Sequence, residues 1–125
     1  MSKLKEASST LLKEEVIKAM QDLKAKNIVV IDLREISGSL SDFFVICHGD
    51  SSTQVNSISN SIYKSVLEET GEKPWHQEGK QNSEWVLLDY VDVVAHVFYK
   101  DSREFYNIEG LWGDAEIEVI SEEAQ

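Results

Sequence analysis

The sequence predicts an α/β domain: a mixed β-sheet with helices packed on it, in the order α-β-β-α-β-β-α. Three observations carry this. Two stretches place apolar residues at helical spacing and end in helix-breaking residues. Two short runs rich in β-branched and aromatic residues lie between them and are too continuous for half-exposed strands. Two more strand-like runs follow, joined through Tyr90-Val91-Asp92 alone, and so short a connection implies an antiparallel pair.

The spacing of Leu12, Val16, Ala19, Met20 and Leu23 predicts a first helix over 10–26, broken after Lys26 at Asn27. The run Ile28-Val29-Val30-Ile31 predicts a buried strand that ends through Asp32-Leu33-Arg34. Residues 35–41, with Gly38 and three serines, read as a loop. Phe43-Phe44-Val45-Ile46-Cys47 is the second strand. Gly49-Asp50-Ser51-Ser52 then turns into a second helix, and Ser51 with Gln54 has capping-box spacing. Val55, Ile58, Ile62, Val66 and Leu67 supply its apolar face, and Gly71 its stop. Residues 74–83 read as a polar loop holding Trp75 and His76. Strands are predicted over 84–90 and 93–99. Asp101-Ser102-Arg103-Glu104 is expected to cap a last short helix with Phe105, Ile108, Leu111 and Trp112 on its apolar side. The last dozen residues read as a strand fragment or a mobile tail.

A chain of 125 residues suits one domain with a real core. The expected division is a flexible N-terminus over 1–9, one domain over 10–115 and an acidic C-terminal tail over 116–125. The balance of 12 Lys and Arg against 23 Asp and Glu gives a net charge of −11. Such a protein is repelled by bare phosphate backbone, so free nucleic acid is disfavoured as a direct partner, while a basic protein surface suits it; acidity that only keeps the protein soluble is the competing reading. Cys47 is the lone cysteine, so no intramolecular disulfide is possible and a reducing compartment fits. Met1-Ser2-Lys3-Leu4-Lys5 lacks the apolar segment of a secretory signal. No apolar run approaches the roughly 20 residues of a membrane span. The expected location is the cytoplasm.

The candidate metal ligands are Cys47, His48, His76 and His96. Only Cys47 and His48 are close in sequence, and neighbours on a strand point to opposite faces, so no metal site is expected. Ser51 lies at a strand-to-helix turn, but the nucleophile-elbow glycines are incomplete: Gly49 is present and Thr53 stands in the second position. Its pairing with Gln54 accounts for it as a cap. His48-Gly49-Asp50-Ser51-Ser52 opens a helix, where free amides attract anions, yet it has one glycine, no P-loop lysine and a negative Asp50. Nucleotidyl transfer needs paired carboxylates that hold a metal ion. Asp89 and Asp92 flank a turn, Asp32 and Asp42 sit at strand ends, and no Asp-x-Asp pair occurs. The expectation is a protein with neither catalysis nor cofactor, with a nucleotide-binding enzyme using the turn at Gly49 to Ser52 as the lesser alternative.

The hairpin and the last helix are richer. Trp85, Leu87 and Asp89 alternate onto one sheet face, and His96 and Phe98 share a face across the hairpin. Arg103, Tyr106, Glu109 and Trp112 follow. Aromatic residues beside charges are favoured at interface centres. The candidate partner-binding residues are Trp85, Leu87, Asp89 and Asp92 of the hairpin, with Phe98, Arg103, Tyr106 and Glu109 behind it. Asp89, Asp92 and Glu109 would meet Lys or Arg, whereas Arg103 has two equal readings, a contact or an internal brace. Trp85, Phe98, Phe105 and Trp112 as plain core is the competing reading.

At these residues the chain resembles the ribosomal silencing factors, the Iojap-like family. The resemblance lies in VIDLR at 30–34, SDFFVICHGDSS at 41–52, EG at 78–79, WVLLDYVDVVAHVF at 85–98 and REFYNIEGLWGDA at 103–115. It covers 11–115, nearly the whole chain. Val91 departs from it where the family usually has Gly in the hairpin turn, and Ala95 where a bulkier β residue is common. The resemblance implies a fold related to nucleotidyltransferases but without their catalytic carboxylates. It also implies binding to the large ribosomal subunit through its fourteenth protein, so that the small subunit is sterically kept from joining when nutrients are scarce. Homodimers occur in the family, and organelle relatives are linked to large-subunit assembly, which gives an alternative role on the same surface.

Overall fold

The computed structural model describes residues 2–36 and 38–120. The elements are α1 (Ser2–Asp22), β1 (Lys26–Asp32), β2 (Phe43–Gly49), α2 (Ser52–Thr70), β3 (His76–Glu78), β4 (Trp85–Asp89), β5 (Val93–Tyr99), α3 (Lys100–Tyr106), the single turn α4 (Ile108–Leu111) and β6 (Glu116–Val119). The strands form one six-stranded mixed sheet in the order β3-β4-β5-β2-β1-β6. β2 and β5 run parallel and the other neighbouring pairs antiparallel. The α/β class is as the sequence predicts, with two additions, β3 and α4, and of the two readings of the last dozen residues a strand forms over 116–119, β6.

The first helix is displaced from its expected position. It begins at Ser2 and ends four residues early, at Asp22 rather than Lys26. The end is a Schellman arrangement: Lys24 N–H donates to Gln21 O at 2.9 Å and Ala25 N–H to Met20 O at 3.0 Å, with Lys24 at φ +58°. Glycine normally marks such a stop. Lysine in its place leaves no sequence signal, so the start of β1 reads as helix.

The second helix follows its sequence signals. Gln54 N–H donates to Ser51 Oγ at 3.1 Å, and Gln54 Oε1 reaches back to accept from Asp50 N–H at 2.8 Å. Gly71 closes the helix at φ +79°.

Alternation divides the sheet into two faces. Val45, Cys47, Val86, Leu88, Ala95 and Val97 face α1 and α2 and are sealed against Val16, Met20, Ile58 and Ile62. This is the main core. Val29, Ile31, Ile46 and Phe98 point the other way and are covered by Leu33, Ile108 and the half-buried Trp112. A short α3–α4 segment covers only one end of that second face.

The last helix differs from expectation. Asn107, at φ +46°, breaks it into α3 and α4. No side chain caps α3, whose N-cap is Tyr99. Of the predicted apolar side, Ile108 is buried and Trp112 half-buried, while Phe105 and Leu111 are exposed. The 74–83 loop contains β3, paired to β4 through Gln77 and Leu88. Residues 116–119 form the edge strand β6, with Ile117 opposite Ile31 and Val119 opposite Val29. The rest of the expected acidic tail, 121–125, lies outside the described residues. Among the described residues, no helix is long and apolar enough to cross a membrane.

Candidate functional site

The uncovered end of the second sheet face forms an open, apolar concavity of about 480 Å³. Its floor comes from three adjacent strands: Phe44 of β2, Val94 and His96 of β5 and Leu87 of β4. Its rim carries Leu40, Trp75 and Val91, which are 92%, 79% and 51% exposed. Asp89 and Ser41 complete the lining. Scattered apolar residues are common on surfaces, but several converging on one concavity mark an interaction site.

Loop chemistry positions the rim. Trp75 N–H donates to Asp89 O at 2.7 Å, tying the loop before β3 to β4. Ser41 Oγ–H donates to Val91 O at 2.8 Å, tying the 33–42 loop to the hairpin. The hairpin turn is tight: Tyr90 N–H donates to Val93 O at 2.9 Å and Asp92 N–H to Tyr90 O at 3.0 Å. The latter i→i+2 bond centres on Val91 at φ +74°, a γ-turn with the strained sign of φ. Asp89 Oδ1 steadies it by accepting from Val91 N–H at 2.7 Å.

An aromatic cluster supports the floor. Trp85 stacks on Phe98 at 5.0 Å and lies 4.9 Å from the Tyr106 ring. Its indole N–H donates to His96 Nδ1 at 3.1 Å. An acceptor role for Nδ1 puts the proton of the neutral ring on Nε2. Burial pushes the His96 pKa down to about 3, so the ring is neutral at working pH. Phe44 packs its ring edge-on against His96 at 4.7 Å. His96 Nε2 is buried and has no hydrogen-bond partner among the described residues.

The structure brings Trp85, Leu87, Asp89 and Tyr106 onto this face, with Asp92 in the turn beside it. Asp92 O accepts from Asp42 N–H at 2.7 Å and Phe43 N–H at 3.1 Å, fixing the turn to the start of β2. Phe98 is a correction: it is completely buried beneath Trp85 and has no surface to offer. Arg103 and Glu109 are a second correction, because they meet each other. Arg103 Nε and Nη2 donate to the two Glu109 oxygens at 3.2 and 3.0 Å. Arg103 Nη1 also donates to Lys26 O at 3.3 Å and to His48 Nδ1 at 3.0 Å. Of its two readings, the structure places Arg103 as an internal brace joining α3, α4, β1 and β2.

That brace lines a larger polar concavity of about 610 Å³ with His48 and Asn107. Burial, then the adjacent Arg103 cation, lowers the His48 pKa. The brace satisfies its own central charges, so the apolar concavity is the better candidate for recognition. Cys47 points into the helical core and His48 to the opposite face, as their adjacency on a strand requires. Burial raises the Cys47 thiol pKa to about 12, which keeps it unreactive.

Sequence reasoning missed Leu40 and Trp75, and read Val91 only as a turn residue. Leu40 follows a serine-rich stretch and Trp75 a proline, both in loops. A large apolar residue in a polar loop was the available signal. Its partner surface is distant in sequence.

A sequence model described as "Ribosomal silencing factor during starvation" matches residues 5–125. The chain belongs to the ribosomal silencing factor family. It is 46% identical over 99 residues to the ribosomal silencing factor RsfS of Halalkalibacterium halodurans, covering 79% of this chain and 83% of that one. It is 45% identical over 97 residues to that of Bacillus subtilis, covering 78% and 80%. A solved crystal structure of a Chromobacterium violaceum protein superimposes with a TM-score of 0.78 at 36% identity, covering 83% of this chain and 85% of that one. Family membership accords with the resemblance in the hairpin and α3 segments.

Proposed function

We propose that this protein docks the open sheet face of its β4–β5 hairpin on the fourteenth protein of the large ribosomal subunit. Bound there, it keeps the small subunit from joining and lowers translation when nutrients are scarce. The observation that carries this reading is the apolar concavity rimmed by Leu40, Trp75 and Val91 and edged by acidic Asp89. Trp85, Leu87 and Tyr106 extend it, and Asp89 and Asp92 face the basic partner. An apolar centre with a charged rim is how protein interfaces combine affinity with steered encounter. A net charge of −11 favours a basic protein over exposed ribosomal RNA.

The mechanism is steric and stoichiometric, without turnover. The fold is read as a nucleotidyltransferase relative that has lost its carboxylate pair. Asp32 is engaged by Arg34 at 2.7 Å, and the Asp89 carboxylate accepts from Val91 N–H in the hairpin turn. The protein acts in the cytoplasm, and a capacity to form homodimers belongs to the same reading. Sedimentation of purified subunits with increasing protein tests it. Joined ribosomes should fall as the protein reaches one copy per large subunit. Normal joining at saturating protein would sink the reading.

A further inference from the structure

Apart from Ser41 and Asp89, the concavity has one polar residue in its lining, His96, and one nitrogen of that ring is buried without a partner among the described residues. His96 is only 4% exposed. Its Nδ1 is occupied by the Trp85 indole N–H, which leaves the proton on Nε2. That Nε2–H has no acceptor among the described residues. Leaving a buried donor unmade is costly, and natural structures rarely do so without cause. An apolar side chain would have filled this β5 position, as Val97 does on the other face.

We propose that His96 Nε2–H is a recognition donor, and that the docked basic protein completes it with a main-chain carbonyl oxygen carried in beside an apolar side chain. The inference rests on the docking reading above and names what the partner presents at its centre. Three features select this occupant. A carboxylate is disfavoured by Asp89 at the same concavity. A side-chain amide would bring two further donors into an apolar lining, where Ser41 Oγ and Asp89 Oδ1 already serve Val91. A main-chain carbonyl brings an acceptor alone, and an apolar neighbour fits among Phe44, Leu87 and Val94. Docking requires a side-chain shift around the ring, at Phe44 or Leu87, both half-buried, and such changes are common at interfaces.

Two substitutions separate recognition from support. His96→Asn keeps a polar atom near the Nδ1 position, where it can accept from Trp85, but removes the distal donor. His96→Gln restores an amide N–H near the Nε2 position. Thermal unfolding first establishes that both variants fold. Binding of the intact protein to purified large subunits is then measured by sedimentation at fixed salt. The expected result is roughly tenfold weaker binding for His96→Asn, with His96→Gln within about threefold of the unsubstituted protein. His96→Asn binding as tightly as the unsubstituted protein, or both variants weakened equally, overturns the proposal. Loss of self-association with unchanged subunit binding assigns the face to a second copy and also overturns it. If the unsubstituted protein fails to bind subunits, the docking reading itself fails and takes this inference with it.

Discussion

Trp85 and His96 are joined across the β4–β5 hairpin by a 3.1 Å hydrogen bond from the indole N–H to imidazole Nδ1. The two residues are diagonal neighbours, since Trp85 pairs with Phe98 and His96 with Leu87. The bond holds the Trp85 ring over Phe98 and fixes the His96 proton on Nε2, while burial keeps the ring neutral.

Acid stability should report His96 directly. Its pKa is about 3 in the fold and about 6.5 in the unfolded chain. A depressed histidine gives stability that is complete above pH 6.5 and is lost as pH falls toward 3, because the unfolded state binds the proton first. Asp32 acts in the same direction at lower pH, since Arg34 lowers its pKa. Between pH 7 and 4.5, urea midpoints should fall, with a loss on the order of 2–3 kcal/mol assignable to His96. The fall should be smaller in His96→Asn. An equal fall in both proteins would contradict the assignment.

Val91 should be improvable. A β-branched residue at φ +74° is strained, and glycine takes that conformation freely. The greater freedom of glycine in the unfolded chain offsets part of the gain. Val91→Gly is therefore expected to stabilise the protein by about 1 kcal/mol, a rise of roughly 3–5 °C in Tm by calorimetry. Any decrease in Tm would show that the turn is unstrained.

Gly79 should tolerate no side chain. It lies at φ +89°, and an added Cβ would collide with the Trp85 carbonyl oxygen. Gly79→Ala should cost about 3 kcal/mol or more in denaturant unfolding. The clash would also displace Trp85, so the variant should bind large subunits more weakly even where it remains folded.

Glu109 and Asp89 should separate brace from contact. Glu109→Gln removes the counter-charge of Arg103, whose side chain is 10% exposed, and should destabilise by about 2 kcal/mol. The salt dependence of subunit binding should stay unchanged in that variant. Asp89→Asn retains the acceptor for Val91 N–H but loses the charge, so stability should hold while binding weakens and becomes less sensitive to salt. The opposite pattern, read by sedimentation across a salt series, would place the electrostatic contact at Glu109.

Much of the fold is legible from local signals. The Ser51–Gln54 cap, the Gly71 stop and the alternation of β4 and β5 are short-range devices, and the structure contains each of them. Elements without such devices were lost. Lys24 ends α1 ahead of the expected break at Asn27, and three-residue β3 exists because β4 offers it an edge.

By itself, the sequence determined the α/β class, both faces of the hairpin and the acidic character on which the proposed basic partner rests. These follow from periodicity and charge, which are properties of neighbours along the chain. Only the tertiary structure decided which aromatics are surface and which are core. It buried Phe98, turned Arg103 and Glu109 toward each other and gathered Leu40, Trp75 and Val91 around His96. Those outcomes depend on how far α3 and α4 reach across the sheet, a long-range packing result that no window of sequence encodes.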